Sequence, residues 1–273
     1  MNPIHELPLR RPLPWAVLLG YLQPRLIADA ERITDGRYER RHGTDWIAVG
    51  ARADGRALQI AAPASACRDE LRTRVGALFA TDEDPQPAAQ QLASCPLLTP
   101  RIARLPGLRP LGSWDAFELC LRTVVGQQVT VAAAGTLMRR LRERCVELTP
   151  QSVLAANLSA MGMPGKRIET LRGLALAVCE QHVSLTADWD EIDESLQRLP
   201  GFGPWTRSYL AIRLGRQPDA FPHSDIGLIR AAGVSTPREL LRRAEAWRPY
   251  RALAATYLWA ASEAASPAPK RSR

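Results

Sequence analysis

The chain has 273 residues, 46% hydrophobic and 23% charged, a size that suggests about two domains with cores of their own. No apolar run reaches the ~18 residues of a membrane span, and the opening MNPIHELPLRRPLPW has no apolar stretch after its charges, so it does not read as a secretory signal. The formal net charge is +8, which favours polyanions; nucleic acid is preferred to an acidic membrane because no long basic amphipathic helix stands out.

Residues 1–85 read as a small mixed α/β domain. Trp15, Leu18, Leu19 and Leu22 recur at helical spacing within Trp15–Ala28. Trp46–Val49 and Ala57–Ile60 read as strands around Asp54-Gly55, a hairpin signal. Arg37–Arg41, turned at Gly43, is a candidate third strand. Ser65–Ala80 reads as an amphipathic helix with Ser65 as its cap. Thr81–Gln91 (TDEDPQPAAQQ) reads as a linker, so residues 86–111 are taken as linker and the first part of a helical domain.

Beyond residue 90 the pattern is helical. Residues 112–217 form the main helical unit, 218–265 its remainder, and 266–273 (SPAPKRSR) a disordered tail. Ser113 opens a helix through Val125, and Thr130 opens the next. Between them stands Gly126-Gln127-Gln128. A tight turn, Met161–Arg167, precedes a further helix. The five cysteines, Cys67, Cys95, Cys120, Cys145 and Cys179, never pair as CxxC. That excludes common zinc-knuckle and iron–sulfur spacings. They read as reduced, small buried hydrophobes of a cytoplasmic protein.

Leu199-Pro200-Gly201-Phe202-Gly203 breaks a helical pattern, and Pro204-Trp205 restarts it. Two glycines between short helices leave bare backbone, and the second helix directs its first amides outward, as a phosphate would need. On these residues alone the segment is either a phosphate clamp or a glycine-capped turn between core helices. Trp205, Tyr209 and Ile212 share one face, as core or as an aromatic wall. Asp225, in Phe221-Pro-His-Ser-Asp225-Ile-Gly, is either a helix cap or a catalytic carboxylate. The two roles are compatible, because a helix N-terminus favours an ionised carboxylate.

Together LPGFGPWTRSYLAIR, AFPHSDIGLIR, AFELCLRTVVGQQVTVAAA and AWRPYRALAATYLWA resemble the helix-hairpin-helix superfamily of DNA glycosylases. Within it the chain is similar to the bacterial 3-methyladenine DNA glycosylase II family, over most of its length. The resemblance implies an α+β, mostly α fold. Helix-hairpin-helix domains follow a small N-terminal antiparallel domain, structural in role, like half of a TATA-binding-protein fold. It implies Asp225 as the catalytic carboxylate and Gln128 as the wedge that fills the gap left by a flipped nucleotide. It implies Trp205, Tyr209 and Trp259 as the base pocket, more open beside Ala260, where an additional aromatic can occur. Gly201, Phe202, Gly203 and Thr206 become the phosphate-binding hairpin, with a monovalent cation (Na or K) on its carbonyls, no transition metal and no other cofactor. Lys166, Arg167 and His223 are further candidate phosphate or water contacts.

The only lysines are Lys166 and Lys270, and position 205, where lyase relatives carry a lysine, holds Trp. The expectation is therefore a monofunctional hydrolase, without lyase activity, acting on alkylated purines. Its partner is double-stranded DNA with damaged bases, and it works as a cytoplasmic, nucleoid-associated monomer. The alternatives are a non-catalytic helix-hairpin-helix DNA-binding or damage-sensing protein and an oxidised-purine glycosylase.

Overall fold

The computed structural model describes residues 4–145 and 147–264. It begins with β1 (Ile4–Pro8), α1 (Trp15–Leu22) and a 3-10 turn, Gln23–Arg25. The helix expected over Trp15–Ala28 stops early because Pro24 has no N–H to extend the ladder. β2 (Glu31–Thr34), β3 (Arg37–His42), β4 (Asp45–Ala51) and β5 (Ala57–Ala61) follow as hairpins. They turn at Asp35-Gly36, Gly43 and Asp54-Gly55, whose glycines have φ of +71°, +61° and +69°. β1 returns to pair with β5, giving the antiparallel order β1-β5-β4-β3-β2. β1 and β2 escaped the sequence reading, although Asp35-Gly36 carries the same signal as Asp54-Gly55.

Tyr38, Val49 and Ile60 lie opposite one another in register and are fully buried, packed with α2 (Arg68–Phe79). The residue at the N-cap of α2 is Cys67, not Ser65, and no side chain caps it. α3 (Gln86–Leu92) starts after Pro85, inside the stretch expected to be a linker, and α4 (Thr99–Arg104) follows. Then come α5 (Ala116–Val125), α6 (Val131–Arg144), α7 (Pro150–Ala155), α8 (Gly165–Cys179), α9 (Trp189–Gln197) and α10 (Pro204–Arg213). α11 (Ile226–Ala231), α12 (Pro237–Ala244), a 3-10 turn at Glu245–Trp247 and α13 (Arg251–Ala264) complete the described chain. The cap of α5 is Asp115, whose carboxylate accepts the Glu118 N–H at 2.8 Å, so Ser113 lies outside the helix. Thr130 caps α6 as expected.

Two hydrophobic cores result. The first joins the sheet, α1 and α2 to Leu228, Trp247, Tyr257 and their neighbours on α11–α13. The second is built from α5–α10, through residues such as Cys120, Leu141, Leu174 and Leu196. α10 bridges them, with Leu210 in the second core and Ile212 in the first. Burial pushes the Cys120 thiol up to about 12, so it packs as an inert hydrophobe. Cys145 is buried as well, whereas Cys67 is exposed and Cys95 and Cys179 are half-buried, against the expectation of five buried thiols. Among the described residues no helix is long and apolar enough to cross a membrane. The tail expected at 266–273 lies outside them.

The cores are also joined by charge. Arg40, on the inward face of β3, donates to Glu31 of β2 at 2.9 Å and to Glu118 of α5 at 2.6 Å. Arg122, one turn further along α5, reaches Glu31 at 2.9 Å. Burial alone would raise the Glu31 carboxyl, but Arg122, Arg40 and the Tyr38 hydroxyl hold it below the ordinary value of 4.5. A depressed folded value stabilises the fold above the unfolded one, and that contribution disappears as the pH falls through the folded value. Glu118→Ala leaves the Arg40 guanidinium short of a partner and should lower stability to urea by about 3 kcal/mol or more. Arg40→Met with Glu118→Leu should recover most of that loss. A double variant no more stable than the single one would contradict the network's role.

Candidate active site

Asp225 sits where the chain turns from Phe221 into α11. Its N–H reaches the Pro222 carbonyl at 2.8 Å, and buried Phe221 packs edge-on against Trp247, with ring centroids 5.8 Å apart. The Asp225 side chain caps α11 by accepting the Leu228 N–H at 2.9 Å. The same carboxylate accepts two indole N–H groups, from Trp205 of α10 at 3.0 Å and from Trp259 of α13 at 3.1 Å. Capping and presentation to a cleft therefore coexist in one half-buried side chain. Gly227 makes this possible: a Cβ there would lie 3.0 Å from Asp225 Oδ1 and 3.7 Å from Trp259.

Around the carboxylate is a cleft of about 260 Å³, lined by Trp205, Tyr209, Trp259, Tyr21, Arg25 and Val129 among others. Tyr209 stacks on Trp205 (5.6 Å, 11°) and meets Trp259 edge-on (5.8 Å, 65°). Ile212, expected on the same face, is instead buried in the first core. Behind the rings, Arg213 is buried; its Nη1 donates to the hydroxyls of Tyr209 (2.7 Å) and Tyr21 (3.0 Å), and Nε and Nη2 donate to the Gly112 carbonyl. Burial pushes the Tyr209 phenol up to about 12, against the pull of Arg213, so it stays protonated. Arg25 lies over the Tyr21 ring at 3.9 Å.

The hairpin stands beside this cleft. Gly201 has a φ of +91°, and a Cβ would strike Thr170 Oγ1 at 2.3 Å, so only glycine fits. Gly203 has an extended backbone and open space around it. Phe202 and Thr206 are turned inward, 3% exposed each, so the hairpin offers backbone rather than these two side chains. Pro204 brings no N–H, which leaves the amides of Trp205 and Thr206 as the first donors of α10.

Gln127 links the hairpin to the preceding loop. Its Nε2 donates to the Gly201 carbonyl and to Thr206 Oγ1, both at 2.9 Å. Its own carbonyl accepts from Arg167 at 2.6 Å, which commits that arginine to the loop rather than to solvent. Gln128 follows, exposed at the tip, with a φ of +56° that non-glycine residues seldom adopt. Lys166 is exposed at the start of α8, and His223 is half-buried two residues before Asp225.

The family model described as the AlkA N-terminal domain matches residues 4–115, past the boundary read at 85. The chain is 32% identical over 278 residues to DNA-3-methyladenine glycosylase 2 of Escherichia coli (strain K12), covering 91% of this chain and 94% of that protein. The chain belongs to the DNA-3-methyladenine glycosylase 2 family. In fold it is similar to a 3-methyladenine DNA-glycosylase from Archaeoglobus fulgidus (TM-score 0.75, 18% identity, 94% of this chain and 98% of that one). It is also similar to an 8-oxoguanine glycosylase/lyase from Clostridium acetobutylicum (TM-score 0.69, 16% identity, 87% and 90%). The architecture is that of the helix-hairpin-helix DNA glycosylases, α+β and mostly helical.

Within this glycosylase frame, the structure gathers Asp225, Trp205, Tyr209 and Trp259 in one cleft and sets Gln128 and the hairpin outside it. Four contributors escaped the sequence reading: Tyr21, Gly227, Gln127 and Arg213. Tyr21 also means that the N-terminal region lines the cleft and is more than a support. The Gly immediately after Asp225-Ile226 was a visible signal; the reach of Tyr21 across the cleft was not. Gln127→Ala leaves a carbonyl and a hydroxyl without their donor, a loss of about 1–3 kcal/mol. Amide exchange across residues 199–206 should accelerate, while the sheet keeps its protection. Unchanged exchange in the hairpin would show that Gln127 does not hold it.

Proposed function

We propose that the chain is a monofunctional DNA glycosylase that hydrolyses the N-glycosidic bond of alkylated purines, of the 3-methyladenine and 7-methylguanine type, in base excision repair. One observation carries the reading: a carboxylate held by two indole N–H groups opens into a cleft walled by aromatic rings. A purine alkylated at N3 or N7 is cationic and stacks favourably on such rings, worth roughly 0.5–2 kcal/mol for each well-placed one. It departs as a neutral base, so no strong acid is needed. The sugar left behind develops positive charge, and Asp225 faces that charge as a fixed anion that also orients the attacking water.

The remaining residues serve the approach to DNA. The exposed backbone of Gly201 and Gly203 and the first amides of α10 suit a phosphate. Gln128, already held in a strained conformation at the loop tip, suits the wedge that fills the duplex once the damaged base has swung out, an extrusion that requires a few kcal/mol. The hairpin carbonyls suit a Na or K ion, and the Gly201 oxygen, which accepts the Gln127 amide, keeps a second lone pair for it. A non-catalytic DNA-binding protein would need the hairpin but not the carboxylate in its aromatic cleft. The absence of a lysine at position 205 supports hydrolysis without a lyase step.

Asp225→Asn keeps a good N-cap and should bind alkylated duplex as the wild type does. Its single-turnover release of methylated purines should fall at least about 100-fold. Release at the wild-type rate would overturn the assignment. Borohydride added during wild-type turnover should trap no covalent protein–DNA complex; a trapped complex would overturn the monofunctional reading.

A further inference from the structure

A second cavity, of about 280 Å³, adjoins the aromatic cleft. It lies between α1, α10, α13 and the segment 108–111. Tyr21, Arg213 and Trp259 line both spaces, so the two meet along these three residues. Its other walls are apolar, through Val17, Leu18, Leu111 and Ile212, and two of its lining residues, Gly20 and Ala260, are the smallest available. A Cβ built at Gly20 meets nothing within 4 Å, so the room is real and unfilled from the α1 side.

The polar groups at its edge are already engaged. Arg109 donates to the carbonyls of Ala80, Glu83 and Arg11. Arg213 is held by the Gly112 carbonyl and the two tyrosine hydroxyls. Neither guanidinium needs a ligand, and no lining residue is acidic. No carboxylate lines the cavity to pair with a second cation, and the acids that act on Arg109 (Asp82, Glu83 and Asp84) stand outside its lining, which leaves apolar contact as the reward for entry.

We propose that this cavity is an annex of the base site that receives the neutral, apolar arm of a bulky N-alkyl substituent, while the base itself stacks in the aromatic cleft. The proposal rests on the reading of that cleft as the base site. A methyl group leaves the annex empty. A benzyl or longer alkyl arm reaches past Tyr21 and Trp259 into it, and an arm ending in an ammonium is refused.

The test compares duplexes carrying 7-methylguanine, 7-benzylguanine, or 7-alkylguanine with a terminal ammonium. The purine ring is cationic while bonded to the sugar in all three, so only the arm differs. Thr256→Phe fills the annex from α13 and Gly20→Leu fills it from α1; neither residue lines the aromatic cleft. In single turnover, the benzyl-to-methyl ratio of kcat/KM should fall about tenfold or more in each filled variant, with methyl release within about twofold of wild type. The ammonium arm should be released no better by the wild type than by the filled variants. An unchanged benzyl-to-methyl ratio in folded filled variants, with methyl release intact, overturns the annex and leaves the base-site reading standing. Failure of the wild type to release any of the three bases overturns the base-site reading and the annex with it. The substitutions lie on different helices, so if one variant fails to fold, the other still decides.

Discussion

Everything at the site depends on how one carboxylate is held. Asp225 receives three N–H donors from three helices: its own α11, and the indoles of α10 and α13. No cation pairs with it among the described residues, so its charge is held in place by donors rather than neutralised. α13 belongs to the first core, and α10 spans both. The carboxylate is therefore positioned by the same packing that joins the two halves of the chain, and a disturbance of either half reaches it.

The same logic extends to the surface that meets DNA in the proposed function. Gln127 fastens the Gln128 loop to the hairpin, and Arg167 fastens the loop to α8. The proposed wedge and phosphate clamp are thereby bonded to each other. On the other side, Tyr21 and Arg213 brace Tyr209 from behind. The N-terminal sheet reaches this region through α1, and the Arg40–Glu118 and Arg122–Glu31 bridges tie it to α5.

Features set by local chemistry were legible in the sequence. Thr130 and Asp225 cap helices because a short oxygen-bearing side chain precedes each apolar repeat. Asp54-Gly55 turns a hairpin because glycine accepts its positive φ. Ser65 and Ser113 looked equally good as caps, yet the helices begin after Cys67 and Asp115; capping chemistry marks a start only to within a few residues. The helix at Gln86–Leu92 was hidden because its flanking acids and prolines mimic a linker. Tyr21 stands 188 residues from Tyr209, and only the fold brings their hydroxyls to 3.4 Å. No spacing rule connects residues that far apart. The role of Asp225 was equally open on its own residues; the family resemblance and then the two indole contacts support the proposed one.

The central claim is that Trp205 and Trp259 act through their N–H groups as well as their rings. The most direct measurement is the single-turnover release of 7-methylguanine by a Trp205→Phe, Trp259→Phe double variant, with duplex binding measured in parallel. Both aromatic faces remain, but Asp225 loses two donors. The rate should fall about 10- to 1,000-fold, with binding of damaged duplex close to wild type. A double variant that releases the base at the wild-type rate would show that the carboxylate does not need the indoles to hold it.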